Sequence, residues 1–288
     1  MKNVMKKIVA VVVTFNRIAD LKECLKALHN QSYKDFDIVV VNNGSTDGTR
    51  DYLDSQSDII TIHQDNLGGA GGFYAGMKYM FENGYDWLWM MDDDGIPDEN
   101  QLKELLKYGE IGNPVLNAIV VNKDNPTLLA FGSMKPVSQY KDILNGSLFH
   151  PFNGTFIHRS VIEKIGFIKK EMFIWGDEQE YLRRIKANGY YPKTVTTAIH
   201  YHPKEKGKKL NVFPFIHNDI CIWDKPKNLS KIYYRNLGYI NKMYPIHWYS
   251  CYGNAARHIF SFAWRFRFGE IYKFLKYYRK GMRNNFES

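Results

Sequence analysis

The first ninety residues alternate short apolar runs with stretches of helical spacing. The runs are Ile8–Val13, Ile38–Val41, Ile59–Ile62 and Trp87–Met91. Such runs are typical of strands that are covered on both sides, as in parallel sheets. After the first run, leucines recur at helical spacing behind Asp20, which we predict as a helix cap. The alternation predicts βαβ units, a mostly parallel sheet flanked by helices, and the α/β fold class.

Polar segments follow three of these predicted strands directly. They are residues 14–16 (Thr-Phe-Asn), residues 42–47 (Asn-Asn-Gly-Ser-Thr-Asp) and residues 92–94 (three aspartates). In α/β sheets, ligands bind outside the carboxyl ends of the strands. The three segments are therefore predicted to converge on one ligand site.

A glycine-rich segment over residues 66–72 precedes a stretch of helical spacing that begins at Phe73. We predict a loop here, because glycines let backbone N–H groups approach a diphosphate and a helix start favours anions. The segment matches neither the dinucleotide fingerprint nor the P-loop. A flexible loop without a ligand explains the glycines equally well.

The second half of the chain predicts shorter elements. Residues 112–158 are rich in Asn, Pro and Gly, which favours short strands and loops. Ser160 begins a capping-box pattern that predicts a short helix. A longer helix is predicted from Asp177, and a strand follows over residues 190–201. Beyond the charged residues 204–209 the pattern is helical and aromatic.

The charge of the chain is unevenly distributed. The net charge is +9, yet residues 204–288 hold 17 Lys and Arg against 5 Asp and Glu, together with 20 of the 44 aromatic residues. We therefore predict two domains, an α/β domain over residues 1–205 and a helical region over residues 206–288. The three scattered cysteines exclude a disulfide scaffold and indicate a reducing cytoplasm.

Three interpretations are open for the basic, aromatic C-terminal region. Interleaved rings and cations suit a helix lying on an anionic membrane surface. The same aromatic residues could instead form a helical cap that packs on the core. Nucleic-acid binding is the third interpretation and the one the pattern favours least. No run approaches the ~20 apolar residues that a spanning helix needs, and the apolar start of the chain lacks a signal-peptide cleavage site.

The three consecutive aspartates are the sharpest chemical signal. Asp92 and Asp94 have the spacing of carboxylates that project to one side of a strand end, where they can hold Mg²⁺ or Mn²⁺. A solvated acidic turn is the alternative. His200 and His202 lie at a two-residue spacing, and one of them can complete the metal shell.

A second acidic cluster begins at Asp177 and offers a general base. Asp177 with Glu180 three residues later also matches a helix cap with its partner. Even so, Glu178 at the first helical position remains able to take a proton from a hydroxyl group.

The ordered set of these motifs resembles glycosyltransferase family 2, whose members are inverting enzymes with the GT-A fold. The resemblance rests on residues 11–17 (Val-Val-Val-Thr-Phe-Asn-Arg), 42–49, 68–72, 92–94 and 175–178 (Trp-Gly-Asp-Glu). Within the family, the chain is most similar to bacterial galactofuranosyltransferases and rhamnosyltransferases of cell-surface polysaccharide synthesis. The resemblance divides the α/β domain into a nucleotide-binding half, residues 1–94, and an acceptor half, residues 95–205.

The resemblance also implies roles for particular residues. The metal ligands are Asp92, Asp94 and His202, with His200 as the alternate. The base is Glu178, where the family usually has Asp, and Asp177 competes with it. The nucleotide-sugar donor contacts the strand ends and the glycine-rich segment: Thr14, Phe15, Asn16, Arg17, Asn42, Asn43, Gly44, Asn66, Gly69, Gly71, Gly72 and Asp93. The acceptor is bordered by three residues: Asn153, Gly154 and Trp175.

The function implied is a metal-dependent inverting hexosyltransferase that uses Mn²⁺ or Mg²⁺. We expect transfer of galactofuranose from UDP-galactofuranose to a lipid-linked polysaccharide such as O-antigen or capsule, at the inner face of the cytoplasmic membrane. The alternatives are a rhamnosyltransferase that uses dTDP-rhamnose, a non-catalytic module that binds a sugar nucleotide or a glycan, and a nucleotidyltransferase. No nucleic-acid partner is expected, and a homo-oligomer is left open.

Overall fold

The chain forms two compact units in the computed structural model. We call Met1–Lys170 with Arg184–Glu205 the sheet unit, and Glu171–Arg183 with Lys206–Ser288 the helical unit. The division differs from the predicted domains in one stretch, because Glu171–Arg183 groups with the C-terminal residues. The structure describes these residues: 6–109, 112–131, 136–140, 143–146, 148, 150, 152–204, 207–213 and 220–287.

Strands and helices alternate through the sheet unit. Its strands are β1 Ile8–Thr14, β2 Asp37–Asn42, β3 Ile60–His63, β4 Trp87–Asp92, β5 Ile96–Pro97, β6 Val115–Asn122, β7 Asn125–Leu129, β8 Leu144–Asn145, β9 Thr155–His158 and β10 Lys193–His202. Its helices are α1 Ile18–His29, α2 Thr49–Asp54, α3 Gly68–Glu82, α4 Gln101–Gly109 and α5 Arg159–Ile165. The boundary between the two units falls inside the next helix, α6 Asp177–Ala187.

The sheet has the strand order β3-β2-β1-β4-β9-β6-β10-β5, with β7 beside β6 and β8 beside β10. The pairs among β3, β2, β1 and β4 are parallel, and so is the pair of β6 with β10. Strand β9 is antiparallel to β4 and β6, and β5 is antiparallel to β10. The predicted mostly parallel α/β sheet is confirmed.

The register of the parallel strands brings the polar strand ends to one level. Thr14 lies opposite Asn42, and Asn42 lies opposite His63. On the other side of β1, Val13 lies opposite Asp92. All of β1 is buried, because β2 and β4 flank it within the sheet while α1 covers one face and α3 the other. The apolar runs therefore fix the register, and the register assembles the polar edge.

Two of the predicted helix caps are wrong by a few residues. Helix α1 begins at Ile18, so Asp20 lies in its first turn, and Asp47 accepts a hydrogen bond from the Ile18 N–H instead. Helix α5 begins at Arg159, and the ring of His158 accepts from the Ser160 N–H. Short polar side chains near a helix start compete for the same unpaired N–H groups, and sequence spacing does not decide among them.

The predicted glycine-rich loop over residues 66–72 is also corrected, because α3 begins at Gly68. A Cβ atom at Gly72 would overlap the Val13 side chain, and one at Gly76 would overlap that of Val11. These two glycines let α3 lie directly on β1. Tight helix-to-sheet packing is therefore a structural reason for glycine at both positions.

We expect Gly76→Ala to destabilise the sheet unit by about 1–3 kcal/mol, because the new methyl group must displace Val11. Gly69→Ala is the matched control, since a Cβ atom at Gly69 would meet nothing within 4 Å. Alanine favours a helix over glycine, so the control should be neutral or stabilising by up to about 1 kcal/mol. Urea unfolding curves measure both, and equal effects of the two substitutions would contradict the packing argument.

The helical unit contains a small sheet that the sequence pattern did not predict. Strand β11 Lys208–Asn211 pairs antiparallel with β12 Cys221–Asp224. Helices α7 Ser230–Met243, α8 Ser250–Ala263 and α9 Phe268–Met282 follow. A core of apolar and aromatic residues holds the unit: Leu210, Val212, Ile222, Tyr234, Leu237, Phe262, Phe274 and Tyr278. Among the residues described, no helix combines the length and apolarity that crossing a membrane requires.

Candidate functional site

Three potential metal ligands meet at the carboxyl edge of the sheet. One ligand atom each from Asp92, Asp94 and His202 can be chosen so that all lie within 4.8 Å of one another. Asp92 ends β4 and His202 ends β10, so sheet topology brings together residues 110 positions apart. Two carboxylates and one imidazole form an oxygen and nitrogen donor set that suits Mn²⁺ and other divalent cations.

The orientation of the His202 ring fits that role. Its Nδ1 lies 2.7 Å from the carbonyl oxygen of Pro203, which accepts a hydrogen bond from Nδ1–H. Its Nε2 lies 3.1 Å from Asp94 Oδ1. The Pro203 carbonyl oxygen keeps a proton on Nδ1, and Nε2–H donates to Asp94. A divalent cation that displaced the Nε2 proton would find the Nε2 lone pair directed at the carboxylates, as in many metal-ligating histidines.

The alternate ligand His200 lies elsewhere. Its ring is fully buried, and its Nδ1 accepts a hydrogen bond from the side-chain amide nitrogen of Gln101 at 3.1 Å. Burial lowers the pKa of His200 to about 3, with a smaller contribution from His202, so the ring is neutral. Among the described residues, the three-ligand cluster contains His202 and not His200.

The central aspartate of the triplet anchors the strand end. Asp93 is buried, accepts from the Thr14 hydroxyl at 2.8 Å, and lies 3.3 Å from Nη1 of Arg17. Burial raises the pKa of Asp93 to about 6, although the Thr14 hydrogen bond and the Arg17 charge oppose the shift. Asp93 thus ties β4 to the polar segment that follows β1.

Arg17 also pairs with the outer carboxylate, since its Nη1 lies 2.6 Å from Asp94 Oδ2. Burial alone would raise the pKa of Asp94, but the hydrogen bond from His202 and the charges of His202 and Arg17 outweigh burial and lower it. Asp94 is therefore an ionised carboxylate. The guanidinium of Arg17 supplies positive charge at the site, and phosphate groups pair well with such a fork of donors.

The two asparagines after β2 are buried and bonded within the protein. Asn42 Nδ2 lies 3.1 Å from His63 Nδ1, and its Oδ1 accepts from the Ser45 N–H. Asn43 donates to the Gly68 carbonyl oxygen and accepts from the Leu67 N–H. The structure thus gives both amides a part in joining β2 to its neighbours.

Other predicted donor residues lie in the loops at the same edge. Asn16 has a left-handed φ of 53° and accepts from the Thr46 N–H at 2.7 Å. Gly44 has a φ of 83°, and a Cβ atom there would lie 2.8 Å from the Asn66 backbone nitrogen. Asn66 in turn accepts from the Gly68 N–H. Phe15 is 42% exposed, so its ring is accessible to a ligand.

Sequence reasoning omitted Asp47 as an individual site residue. Its carboxylate accepts from the first N–H of α1, at Ile18, and from the first N–H of α2, at Thr49. The available signal was the polar segment 42–47 together with a helix beginning shortly after it. One carboxylate holding two helix starts keeps the surrounding loops together.

Two of the three predicted acceptor residues are buried in the sheet unit. Asn153 is 5% exposed, and its carbonyl oxygen accepts from Asn117. Gly154 donates to the Met90 carbonyl oxygen and has a φ of 73°. A Cβ atom at Gly154 would crowd Gln101. Both residues bridge strands at the start of β9.

The third predicted acceptor residue, Trp175, belongs to the helical unit. It lies in the segment Phe173–Gly176, where Phe173, Trp175 and Gly176 have φ angles of 65°, 62° and 100°. Left-handed conformations cost free energy in large residues and persist only where the surroundings enforce them.

Helix α7 enforces this backbone. The fully buried amide of Asn236 donates to the carbonyl oxygens of Met172, Ile174 and Trp175 at 2.8, 3.1 and 2.9 Å. Its own oxygen accepts from the neighbouring guanidinium of Arg235. The segment that leads into α6 is therefore clamped by one side chain.

The two candidate bases at the start of α6 have opposite environments. Asp177 is buried, as is Glu180 one turn later, and Glu178 is exposed. Burial, with the charge of Glu180, raises the pKa of Asp177 to about 7. A carboxyl with a raised pKa is well poised for proton transfer, but it must also reach its substrate. In this structure only Glu178 of the two is accessible to solvent.

We expect Asn236→Ala to lower the free energy of unfolding by about 3 kcal/mol, because several buried carbonyl groups lose their donor. Urea unfolding curves measure the change. Asn254→Ala is the matched control, because the Asn254 side chain donates one hydrogen bond, to the Ser250 carbonyl oxygen of its own helix. A stability loss as small as that of the control would contradict the clamp.

The model of the family described as glycosyl transferase family 2 matches residues 9–166. Galactofuranosyltransferase GlfT1 of Mycolicibacterium smegmatis is 32% identical over 212 residues, which are 67% of this chain and 70% of that protein. The match to the family model contains the polar segments that follow β1, β2 and β4.

Solved structures share the fold at lower sequence identity. TarS 1–349 of S. aureus, in complex with UDP-GlcNAc, superposes with a TM-score of 0.58 at 14% identity, over 96% of this chain and 92% of that one. The mannosyltransferase PcManGT of Pyrobaculum calidifontis, in complex with GDP-Man and Mn²⁺, gives 0.54 at 15% identity, over 88% and 65%. These similarities support the predicted fold.

Proposed function

Since this chain belongs to glycosyl transferase family 2, we propose that it is a metal-dependent, inverting hexosyltransferase. Its donor is UDP-galactofuranose, and its acceptor is a lipid-linked precursor of a cell-surface polysaccharide. The proposed donor is supported by the 32% identity with galactofuranosyltransferase GlfT1 over 70% of that protein. The proposed metal dependence is supported by the cluster of Asp92, Asp94 and His202.

The polar edge of the sheet would bind the donor. The exposed Phe15 ring is accessible to the nucleobase of the donor. The Arg17 guanidinium is paired with Asp93 and Asp94 but half exposed, and its exposed N–H groups would contact the diphosphate. A divalent cation held by Asp92, Asp94 and His202 would supply positive charge that neutralises the leaving nucleoside diphosphate. The solved relatives named above bind UDP-GlcNAc and GDP-Man with Mn²⁺, which supports a nucleotide-sugar donor and a divalent cation.

We assign the role of catalytic base to Glu178. The acceptor hydroxyl oxygen forms a bond to the anomeric carbon as the bond from that carbon to the diphosphate oxygen breaks. The hydroxyl proton passes to the Glu178 carboxylate. The attack comes from the side opposite the leaving group, so the configuration inverts, and one displacement needs no protein nucleophile.

We also propose that the helical unit rests on the cytoplasmic face of an anionic membrane. Large aromatic side chains are exposed from the end of α8 into α9, where Trp264, Phe266 and Phe268 are 46%, 82% and 63% exposed. Arg265 and Arg267 alternate with them. Rings and cations side by side are the composition of interfacial segments.

A donor screen tests the transferase proposal. The protein is mixed with Mn²⁺ or Mg²⁺ and, in turn, UDP-galactofuranose, UDP-galactopyranose, UDP-glucose, UDP-N-acetylglucosamine and dTDP-rhamnose. Release of the free nucleoside diphosphate and donor binding by calorimetry are both measured. We expect UDP-galactofuranose to bind most tightly and to turn over with loss of UDP.

A preference for dTDP-rhamnose would show that the protein is a rhamnosyltransferase, and the proposed mechanism would still apply. Binding without turnover in the presence of a reactive acceptor would favour a glycan-binding module. Failure of every donor to bind would contradict the transferase proposal itself.

Liposome flotation tests the membrane proposal. The triple substitution Trp264→Ser, Phe266→Ser, Phe268→Ser removes exposed rings and leaves the buried Phe262 and Phe274 in place. We expect it to abolish flotation with phosphatidylglycerol vesicles. Tyr191→Ser, which removes an 83% exposed ring from the sheet unit, should change nothing. Unchanged flotation of the triple variant would contradict the proposal.

A further inference from the structure

The His200 ring lies directly against the turn that carries the three consecutive aspartates. The Gly95 N–H donates to the Asp92 carbonyl oxygen at 3.1 Å, which closes a turn with Asp93 and Asp94 at its centre. A Cβ atom at Gly95 would overlap His200 Nε2, and it would lie 3.2 Å from the Asp92 carbonyl oxygen. Glycine at this position therefore lets the ring approach the backbone of the turn.

A chain of buried hydrogen bonds decides which nitrogen of this ring carries the proton. The Trp89 indole N–H donates to the side-chain oxygen of Gln101 at 3.2 Å. The Gln101 side-chain nitrogen donates to the Ile199 carbonyl oxygen at 2.6 Å and to His200 Nδ1 at 3.1 Å. Because Nδ1 of the neutral ring is an acceptor, the ring proton lies on Nε2.

The Nε2–H group of His200 has no acceptor. The residue is fully buried, and within the described parts of the chain no polar atom accepts a hydrogen bond from Nε2. A buried N–H group without a partner costs free energy, because it has lost its hydrogen bonds to water. Such groups are rare in proteins, and this one is directed at the turn that holds two of the three potential metal ligands.

The Asp92 carbonyl oxygen can accept a second hydrogen bond. It accepts one from the Gly95 N–H, and a carbonyl oxygen has two lone pairs. Thr14 and Arg17 hold the carboxylates of the turn, whereas His200 faces its backbone. In metal sites, hydrogen bonds from outside the ligand set keep the ligands in place and strengthen binding.

We propose that His200 is a positioning residue of the metal site. When a divalent cation binds to Asp92, Asp94 and His202, the turn closes against the His200 ring and Nε2–H donates to the Asp92 carbonyl oxygen. The new hydrogen bond removes the cost of the unpaired donor, so it raises the affinity for the cation. This inference rests on the proposed metal dependence and adds a residue that acts on the ligands without touching the cation.

Proton–nitrogen NMR spectra of the ¹⁵N-labelled full chain test the inference without any substitution. Mg²⁺ and UDP are the probes, and the His200 ring signal is identified through its contact with the Gly95 protons. We expect the Nε2–H proton to move downfield when Mg²⁺ is added together with UDP. UDP alone should leave the signal in place, and so should Mg²⁺ with UDP in Asp94→Ala. An unmoved Nε2–H signal at saturating Mg²⁺ would overturn the inference.

Calorimetry of Mn²⁺ binding in the presence of UDP tests the same contact by substitution. His200→Leu should weaken Mn²⁺ binding about tenfold or more, because the N–H donor is lost. His200→Gln keeps an N–H group at a similar reach and should retain most of the affinity. Gly95→Ala should weaken binding as His200→Leu does, since the new methyl group moves the ring away from the turn.

The matched control is Val9→Ala, which shortens a buried side chain at the end of β1 far from the aspartates. Urea unfolding should show that it lowers stability, as any cavity in the core does, yet its affinity for Mn²⁺ should equal that of the unmodified chain. The control therefore separates loss of stability from loss of the positioning hydrogen bond.

Two results with these variants contradict the inference. Ordinary Mn²⁺ affinity in His200→Leu and Gly95→Ala would show that the ring only fills the core. An equal loss in His200→Gln and His200→Leu would show that the shape of the ring matters and its N–H does not. Either result leaves the metal dependence standing, provided that Asp94→Ala loses Mn²⁺. Failure of Mn²⁺ to bind the unmodified chain would reject the metal dependence and this inference together.

Discussion

Asp94→Ala should abolish the dependence on Mn²⁺ or Mg²⁺ and reduce donor turnover on the order of 10³-fold. A bound cation contributes several kcal/mol to stabilising the charge of a leaving phosphate, and about 4 kcal/mol corresponds to that factor. Asp94 is the carboxylate that both His202 and Arg17 contact, so its removal breaks the centre of the cluster. Steady-state rates across a Mn²⁺ titration measure the effect.

The control for this substitution is Asp51→Ala, which removes an exposed carboxylate from α2 in the same unit. It should leave the rate and the Mn²⁺ affinity unchanged. Calorimetry of Mn²⁺ binding in the presence of UDP gives an independent reading that does not depend on turnover. An Asp94→Ala protein with ordinary Mn²⁺ affinity and rate would contradict the assignment of the metal site.

Glu178→Gln should lower kcat about 10³-fold and leave donor binding unchanged. An amide of the same size cannot accept the acceptor proton, and a positioned base contributes roughly 10² to 10⁴ in rate. The assignment favours Glu178 over Asp177 because Glu178 is exposed and Asp177 is buried beside Glu180. The measurement is kcat with saturating acceptor, accompanied by the calorimetric dissociation constant of UDP.

Asp177→Asn provides the comparison, since both substitutions change one carboxyl into an amide one position apart. We expect its kcat to fall by less than about tenfold, as for a group that supports the helix start without touching the acceptor. Glu171→Gln, an exposed residue before the Trp175 segment, should have no effect. A large loss in Asp177→Asn with a small loss in Glu178→Gln would reverse the assignment of the base.

The apolar runs were sufficient to predict the sheet. Each predicted buried strand appears within about two residues of its predicted bounds, because a continuous run of apolar side chains is stable only between covering layers. The polar segments after Val13, Val41 and Met91 could also be predicted to converge, since parallel strands end at a common edge. Individual caps at Asp20 and Ser160 could not, because several nearby polar groups compete for the same N–H donors.

The glycines after Asn66 show where a motif is ambiguous. A phosphate-binding loop requires glycine, and so does a helix packed closely on a strand. The two causes therefore cannot be distinguished from the sequence. The structure places Gly72 and Gly76 against β1, which supports close helix packing as the reason for glycine at these two positions. Likewise, β11 and β12 have the sequences Lys-Lys-Leu-Asn and Cys-Ile-Trp-Asp, which are too short and irregular to predict their pairing.

The sequence by itself determined the α/β class, the family and the residue types of the candidate site, because these depend on local periodicity and on short contiguous motifs. The tertiary structure decided that His202, the histidine favoured by the resemblance, lies with Asp92 and Asp94 while His200 is buried beside Gln101, and it alone decided which acidic residue at the start of α6 is exposed. Each of those outcomes depends on elements far apart in the chain. Their pairing is set by packing and burial, which leave no signal at any single position.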